Sequence, residues 1–168
     1  MLDEAAEFYA RALRDEPENI RVYVRRGAAL VDGGRFDEAA ECCAKALSLD
    51  PRCVPVLMNM GLALRRAGRP AEAAEYYGRA IDGYGAGSGA GPDTDMARLY
   101  SNMGCALLDA GRNDEALNCC EKAIDADPDF GIGYVNKGAV LHELGRLDEA
   151  AKYIHAGRTL DPSHARPS

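Results

Sequence analysis

Residues 27–51, GAALVDGGRFDEAAECCAKALSLDP, decide how this chain folds. The residues between Gly27 and Gly34 present an apolar helical face that ends in a glycine able to take the left-handed conformation after a helix. A second helix is expected to start near Asp37, where an acidic residue suits a helix N-terminus, and to stop before Asp50-Pro51, since proline cannot continue it. The same signature returns three times. The first glycine recurs at Gly61, Gly104 and Gly138. Gly34-Arg35 recurs as Gly68-Arg69, Gly111-Arg112 and Gly145-Arg146, at separations of 34, 43 and 34 residues. Glu38-Ala39 recurs as Glu72-Ala73, Glu115-Ala116 and Glu149-Ala150, and Asp-Pro closes two further units at Asp127-Pro128 and Asp161-Pro162. Self-similarity at a fixed period outranks any residue-by-residue reading.

Working outward, the whole chain falls into register. Residues 1–19 read as a half-repeat holding only a second helix, with Tyr9, Ala12, Leu13 and Pro17 in phase. Full helix pairs follow at 20–53, 54–87, 97–130 and 131–164, with a tail at 165–168. The odd separation is one period plus a nine-residue insertion. It falls at 83–92, a Gly-rich stretch with the composition of a flexible linker. Later helices are expected to begin near Pro70, Asp114 and Asp148.

Composition narrows the function classes. Of 168 residues, 47% are hydrophobic, which supports a packed core. No apolar run approaches the roughly 20 residues of a membrane-spanning helix. The acidic start Met1-Leu2-Asp3-Glu4 lacks the apolar region of a secretory signal, so the expectation is a cytoplasmic protein. The net charge of −7 argues against nucleic acid as a partner. The six cysteines include the adjacent pairs Cys42-Cys43 and Cys119-Cys120 and no C-x-x-C, so neither a disulfide framework nor a structural zinc site is expected. Cys42 and Cys119 are expected to be half-exposed, and Cys43 and Cys120 to pack in the core. The three histidines crowd the C-terminal part as His142, His155 and His164, and no catalytic arrangement emerges. No cofactor or metal is expected, and the chain is not read as an enzyme.

The repeat resembles the tetratricopeptide repeat (TPR) family over essentially the whole chain. Position 4 of the successive repeats is Tyr23, Leu57, Tyr100 and Tyr134, and position 8 is the glycine series. Position 11 is Leu30, Leu64, Leu107 and Leu141, and position 20 is Ala39, Ala73, Ala116 and Ala150. Position 24 is Cys43, Tyr77, Cys120 and Ile154, and position 27 is Ala46, Ala80, Ala123 and Gly157. Small residues at 8, 20 and 27 let helices approach, and large ones at 4, 11 and 24 fill the space beside them. The resemblance implies an all-α fold, a right-handed α-solenoid of antiparallel helix pairs, the TPR superhelix. Lys137 at position 7, with Gly157 and Arg158 at closing positions, reads as the polarised surface of a terminal cap.

At about 100° per residue, positions 2, 6, 9 and 13 of each first helix face away from the core stripe. The resemblance implies that this face lines a concave groove. Arg21, Pro55, Arg98 and Ile132 hold position 2, and Arg25, Asn59, Asn102 and Asn136 hold position 6. Three successive asparagines are unusual for exposed helix positions, and carboxamides can donate to and accept from a peptide backbone at once. Arg21, Arg25, Arg65, Arg66 and Arg98 place guanidinium groups on this face of an acidic protein, suited to carboxylates. Met58 and Leu62 add an apolar contact. The plainer reading of the same residues is a solvated charged face with intrahelical ion pairs. The family's carboxylate-clamp pattern, Lys at position 5 and Asn at position 9 of the first repeat, is absent: Val24 and Ala28 stand there. The expected function is a protein-interaction scaffold binding an extended, acidic peptide segment of a partner protein. The alternative is a module that self-associates into a homo-oligomer through the half-repeat end at Leu2, Phe8 and Tyr9.

Overall fold

The computed structural model describes residues 2–85 and 93–160, so most of the Gly-rich insertion, the closing Asp161-Pro162, His164 and the tail lie outside the described residues. Everything described is helix or short turn, in two compact units, Met1–Gly83 and Tyr84–Ser168. The first unit holds α1 (Leu2–Asp15), α2 (Ile20–Asp32), α3 (Phe36–Leu49), α4 (Val54–Arg66) and α5 (Pro70–Tyr84, whose last residue belongs to the second unit). The second holds α6 (Thr94–Asp109), α7 (Asn113–Ala126), α8 (Gly131–Glu143) and α9 (Leu147–Leu160).

Within each unit, consecutive helices pack as pairs, and the first helices of neighbouring repeats also touch: α2 with α4, and α6 with α8. Helix α1 lies in the stretch read as a half-repeat and packs on α2. Ala6 of α1 joins Ala29, Leu30, Val31, Ala39, Cys42 and Ala63 in one buried cluster. Helix α6 starts three residues ahead of the repeat register, because Asp93 caps it by accepting from the backbone N–H of Met96 at 2.9 Å.

Within each pair a glycine lets the helices approach closely. A Cβ added at Gly27 would lie 3.3 Å from Cys43 Sγ, and one at Gly104 3.2 Å from Cys120 Sγ. At Gly61 it would meet the Tyr77 ring at 2.8 Å, and at Gly138 it would meet Ile154 at 2.6 Å and the Ala150 carbonyl at 3.0 Å. Position 8 therefore has to be small because the position-24 side chain occupies the space where its own would stand. The partner positions agree: Ala39, Ala46, Ala73, Ala80, Ala116 and Ala123 are all buried.

The turn between the helices of each pair is the same four times. Gly34, Gly68, Gly111 and Gly145 hold φ between 74° and 78°, a region open to glycine and strained for other residues. The following arginine N–H donates back to the position-11 carbonyl: Arg35 to Leu30, Arg69 to Leu64, Arg112 to Leu107 and Arg146 to Leu141, each at 2.9 Å. This bond, with that of the glycine N–H to the carbonyl three residues before it, is a Schellman closure. The arginine then opens the next helix and clamps its first turn. Arg35 pairs with Glu38, Arg69 with Glu72, Arg112 with Glu115 and Arg146 with Glu149 through two hydrogen bonds each, all between 2.6 and 2.8 Å. Arg35 also reaches Glu7 of α1 at 3.4 Å. The second helices end at Leu49 and Ala126, and Asp50 and Asp127 fold back to accept from Arg52 and Asp129 N–H groups.

Two outcomes follow for stability. Gly138→Ala should destabilise the chain by on the order of 1–3 kcal/mol, since Ile154 and a backbone carbonyl stand in the way. Gly27→Ala should be near neutral, because the few tenths of an ångström asked of Cys43 are offset by a gain of about 1 kcal/mol in helix propensity; urea unfolding of both variants checks the ranking. The arginine partners hold Glu38, Glu72, Glu115 and Glu149 below the usual carboxylate value of 4.5. Their contribution is present at neutral pH and is lost as pH falls below about 4.5. The melting temperature should therefore drop on that side, and less steeply in a Glu72→Gln, Glu115→Gln double variant.

Candidate functional site

The outward face of the first unit is built on α2 and α4. The two helices are tied side by side by Asn59 Nδ2, which donates to the Val24 carbonyl at 3.0 Å. Arg21 and Arg25 stand exposed one turn apart on α2. Neither makes an ion pair or a side-chain hydrogen bond with another of the described residues. Arg21 also lies in the first turn of α2, which has no acidic residue to set against it, and a cation there opposes the helix dipole. On α4, Met58, Asn59 and Arg65 are half-buried. Leu62 packs partly against the core cluster, so it serves the α2–α4 contact as well as the face.

In the second unit the face is formed by α6 and α8. Arg98 is exposed and bonded to Asp95 at 2.9 Å on its own helix, the intrahelical pairing that competes with a ligand role. Asn102 is half-buried. Asn136 Nδ2 donates to the buried Ser101 hydroxyl at 2.7 Å and thereby joins α8 to α6. Two of the three position-6 carboxamides thus spend one N–H on the neighbouring first helix and retain an oxygen and a second N–H. Sequence periodicity placed these residues on the face. It did not reveal the bonds, because the Asn–Val24 partner is a backbone carbonyl that any sequence supplies.

Family models described as tetratricopeptide repeat match residues 20–53, 52–129 and 101–165. A DnaJ homolog subfamily C member 7 homolog from Dictyostelium discoideum is 29% identical over 72 residues, which is 43% of this chain and 13% of the relative. This chain thus spans a small part of that relative's length. Among solved structures, MamA is 25% identical with a TM-score of 0.79, covering 98% of this chain and 91% of its own. YrrB, described as a TPR protein with an unusual peptide-binding site, is 21% identical with a TM-score of 0.73, covering 98% and 80%; that likeness is one of fold.

The cysteines depart from expectation. Cys42 and Cys119 are buried, at 2% and 6% exposure, not half-exposed. Position 23 turns back under the first helix, and the Cys42 thiol lies 3.8 Å from the Tyr23 carbonyl, to which it donates. Burial pushes both thiols up, and pushes Cys43 and Cys120 to about 12. Among the described residues no group of three or more His, Cys, Asp and Glu is placed to hold a metal ion, and no helix is long and apolar enough to cross a membrane. Four thiols protonated and covered at neutral pH should resist a disulfide reagent such as Ellman's. Only the half-buried Cys53 and Cys105 should react in the native protein, and all six should react in denaturant.

Proposed function

The chain belongs to the tetratricopeptide repeat family, and from that premise we propose that it binds an extended, acidic peptide segment of a partner protein on the outward faces of its first helices. The family and the fold support a protein-interaction scaffold. The observation that carries the finer reading is the pair Arg21 and Arg25, exposed one turn apart and paired with no carboxylate among the described residues. Every Gly-Arg arginine, by contrast, has its glutamate. Two guanidinium forks unpaired among the described residues are suited to carboxylates of a ligand, and Met58 of α4 offers an adaptable apolar contact in this reading. Asn59, Asn102 and Asn136 supply backbone-directed carboxamides in this reading. The missing Lys and Asn at Val24 and Ala28 set it apart from the carboxylate clamp.

A second reading rests on α1. Phe8 is 61% exposed, with its ring edge-on to Tyr9 at 5.7 Å, an apolar surface suited to a second copy of the chain; the Leu2 side chain lies outside the described residues. Light scattering separates the two readings, since a monomer at all concentrations removes self-association. For the peptide reading, fluorescence anisotropy against a library of acidic peptides should find binders. Their affinity should fall about five- to tenfold in Arg25→Ala and in Asn102→Ala, the scale of one lost ligand hydrogen bond. A library without binders, or binding indifferent to both changes, overturns it.

A further inference from the structure

In the second unit, α8 turns Asn136 toward α6 and turns Tyr134 and Lys137 the other way, toward α7 and α9. Helix α8 packs against both α7 and α9. The result is a cleft of about 490 Å³ lined by Glu121, Ile124 and Asp125 of α7, Tyr134 and Lys137 of α8, and Tyr153 of α9. Lys137, read from sequence as part of a terminal cap, lies instead between two repeats, its side chain only 13% exposed. Its ammonium sits 4.4 Å from the Tyr153 ring centroid and donates to Glu121 Oε1 at 3.0 Å. The Tyr134 and Tyr153 rings lie 6.4 Å apart, tilted by 31°.

The first unit shows that packing does not require this chemistry. At the same register two repeats earlier, on α3, α4 and α5, stand Ala44, Leu47, Ser48, Leu57, Met60 and Tyr76. There Leu47, Leu57 and Met60 are buried apolar side chains. The second unit keeps an apolar residue, Ile124, where Leu47 stands, puts Tyr134 and Lys137 in place of Leu57 and Met60, and carries Glu121 and Asp125 where the first unit has Ala44 and Ser48. Lys137 is already satisfied by Glu121 and the Tyr153 face. Asp125 is exposed and bonded to none of the described residues, and Glu121 has a second oxygen to offer. The lining therefore carries an uncompensated negative charge beside an aromatic face.

We propose that this α7–α8–α9 cleft binds the side chain of an arginine in a partner protein, its guanidinium stacked on Tyr134 and forked onto Asp125 and Glu121. A planar guanidinium can stack flat on the Tyr134 ring while forking two N–H bonds onto carboxylates, whereas an ammonium meets ring and carboxylate as a point charge, as Lys137 meets Tyr153 and Glu121. The site is separate from the acidic-peptide face and prefers the opposite charge.

The test titrates the full isotope-labelled chain with the capped tripeptide Gly-Arg-Gly and its citrulline counterpart, following the ring signals of Tyr134 and Tyr153 by NMR. The arginine peptide should shift both rings saturably, and the uncharged citrulline peptide should bind about tenfold more weakly or not at all. Tyr134→Leu and Asp125→Ser install the residues that the first unit uses at these positions, so helical circular dichroism should be kept while affinity falls about fivefold or more. Equal shifts with both peptides, no saturable shift, or folded variants that bind as the parent does would each overturn the proposal. The wild-type comparison of the two peptides stands even if a variant misfolds.

Discussion

The contact between a position-8 glycine and the position-24 side chain across each helix pair sets the terms for the rest of the structure. Because Gly61 lets the Tyr77 ring lie against its backbone, and Gly138 does the same for Ile154, the two helices of a pair come close enough to bury the small residues at positions 20 and 27, Ala73 and Ala80 in one pair and Ala150 and Gly157 in the other. That closeness in turn makes the connection short. The chain has only the residues around Gly34-Arg35 in which to reverse direction, and it does so through a left-handed glycine and a single backbone bond to the position-11 carbonyl. The orientation of every outward-facing residue follows from these two constraints, since a helix pinned on one side has no freedom to rotate its other face.

This explains which parts of the molecule were legible in the sequence. Backbone requirements leave unambiguous marks: only glycine serves at Gly111 or Gly145 without strain, and a buried alanine in four repeats has few other reasons to recur. Helix pairs, turns and the core stripe could therefore be placed to within a few residues. Partner choice leaves no such mark. The Gly-Arg and Glu-Ala dipeptides were visible as repeats, yet that Arg69 clamps Glu72 depends on the arginine doubling as the entry to the next helix. Likewise Asn59 and Asn136 looked alike, although one donates to a backbone carbonyl and the other to a serine hydroxyl. Cys42 was misjudged because a helical projection treats a residue beside the core stripe as half-open, whereas α1 and α2 cover it here. Lys137 was misjudged because a charge at a core position suggests an end surface, while the structure gives it a glutamate and an aromatic ring between two repeats.

The candidate surfaces differ in how they carry charge. On α2, Arg21 and Arg25 make no ion pair with the described residues in a chain of net charge −7, so they offer anions a local attraction while the protein as a whole repels them. In the cleft of the second unit, the acidic and aromatic lining favours cations in keeping with the overall charge. A scaffold with both features can hold two segments of opposite character, or one partner whose charges are segregated.

The four arginine–glutamate clamps have a bearing on how such a chain is assembled over evolutionary time. Each clamp has both of its members within one repeat, three residues apart, and each turn closes on a carbonyl of the same repeat. A duplicated repeat brings its own reversal and its own first-turn lock, so copying it demands no compensating change in that turn. The unit of inheritance and the unit of folding thus coincide, which gives arrays of this kind a route to lengthen or shorten by whole repeats.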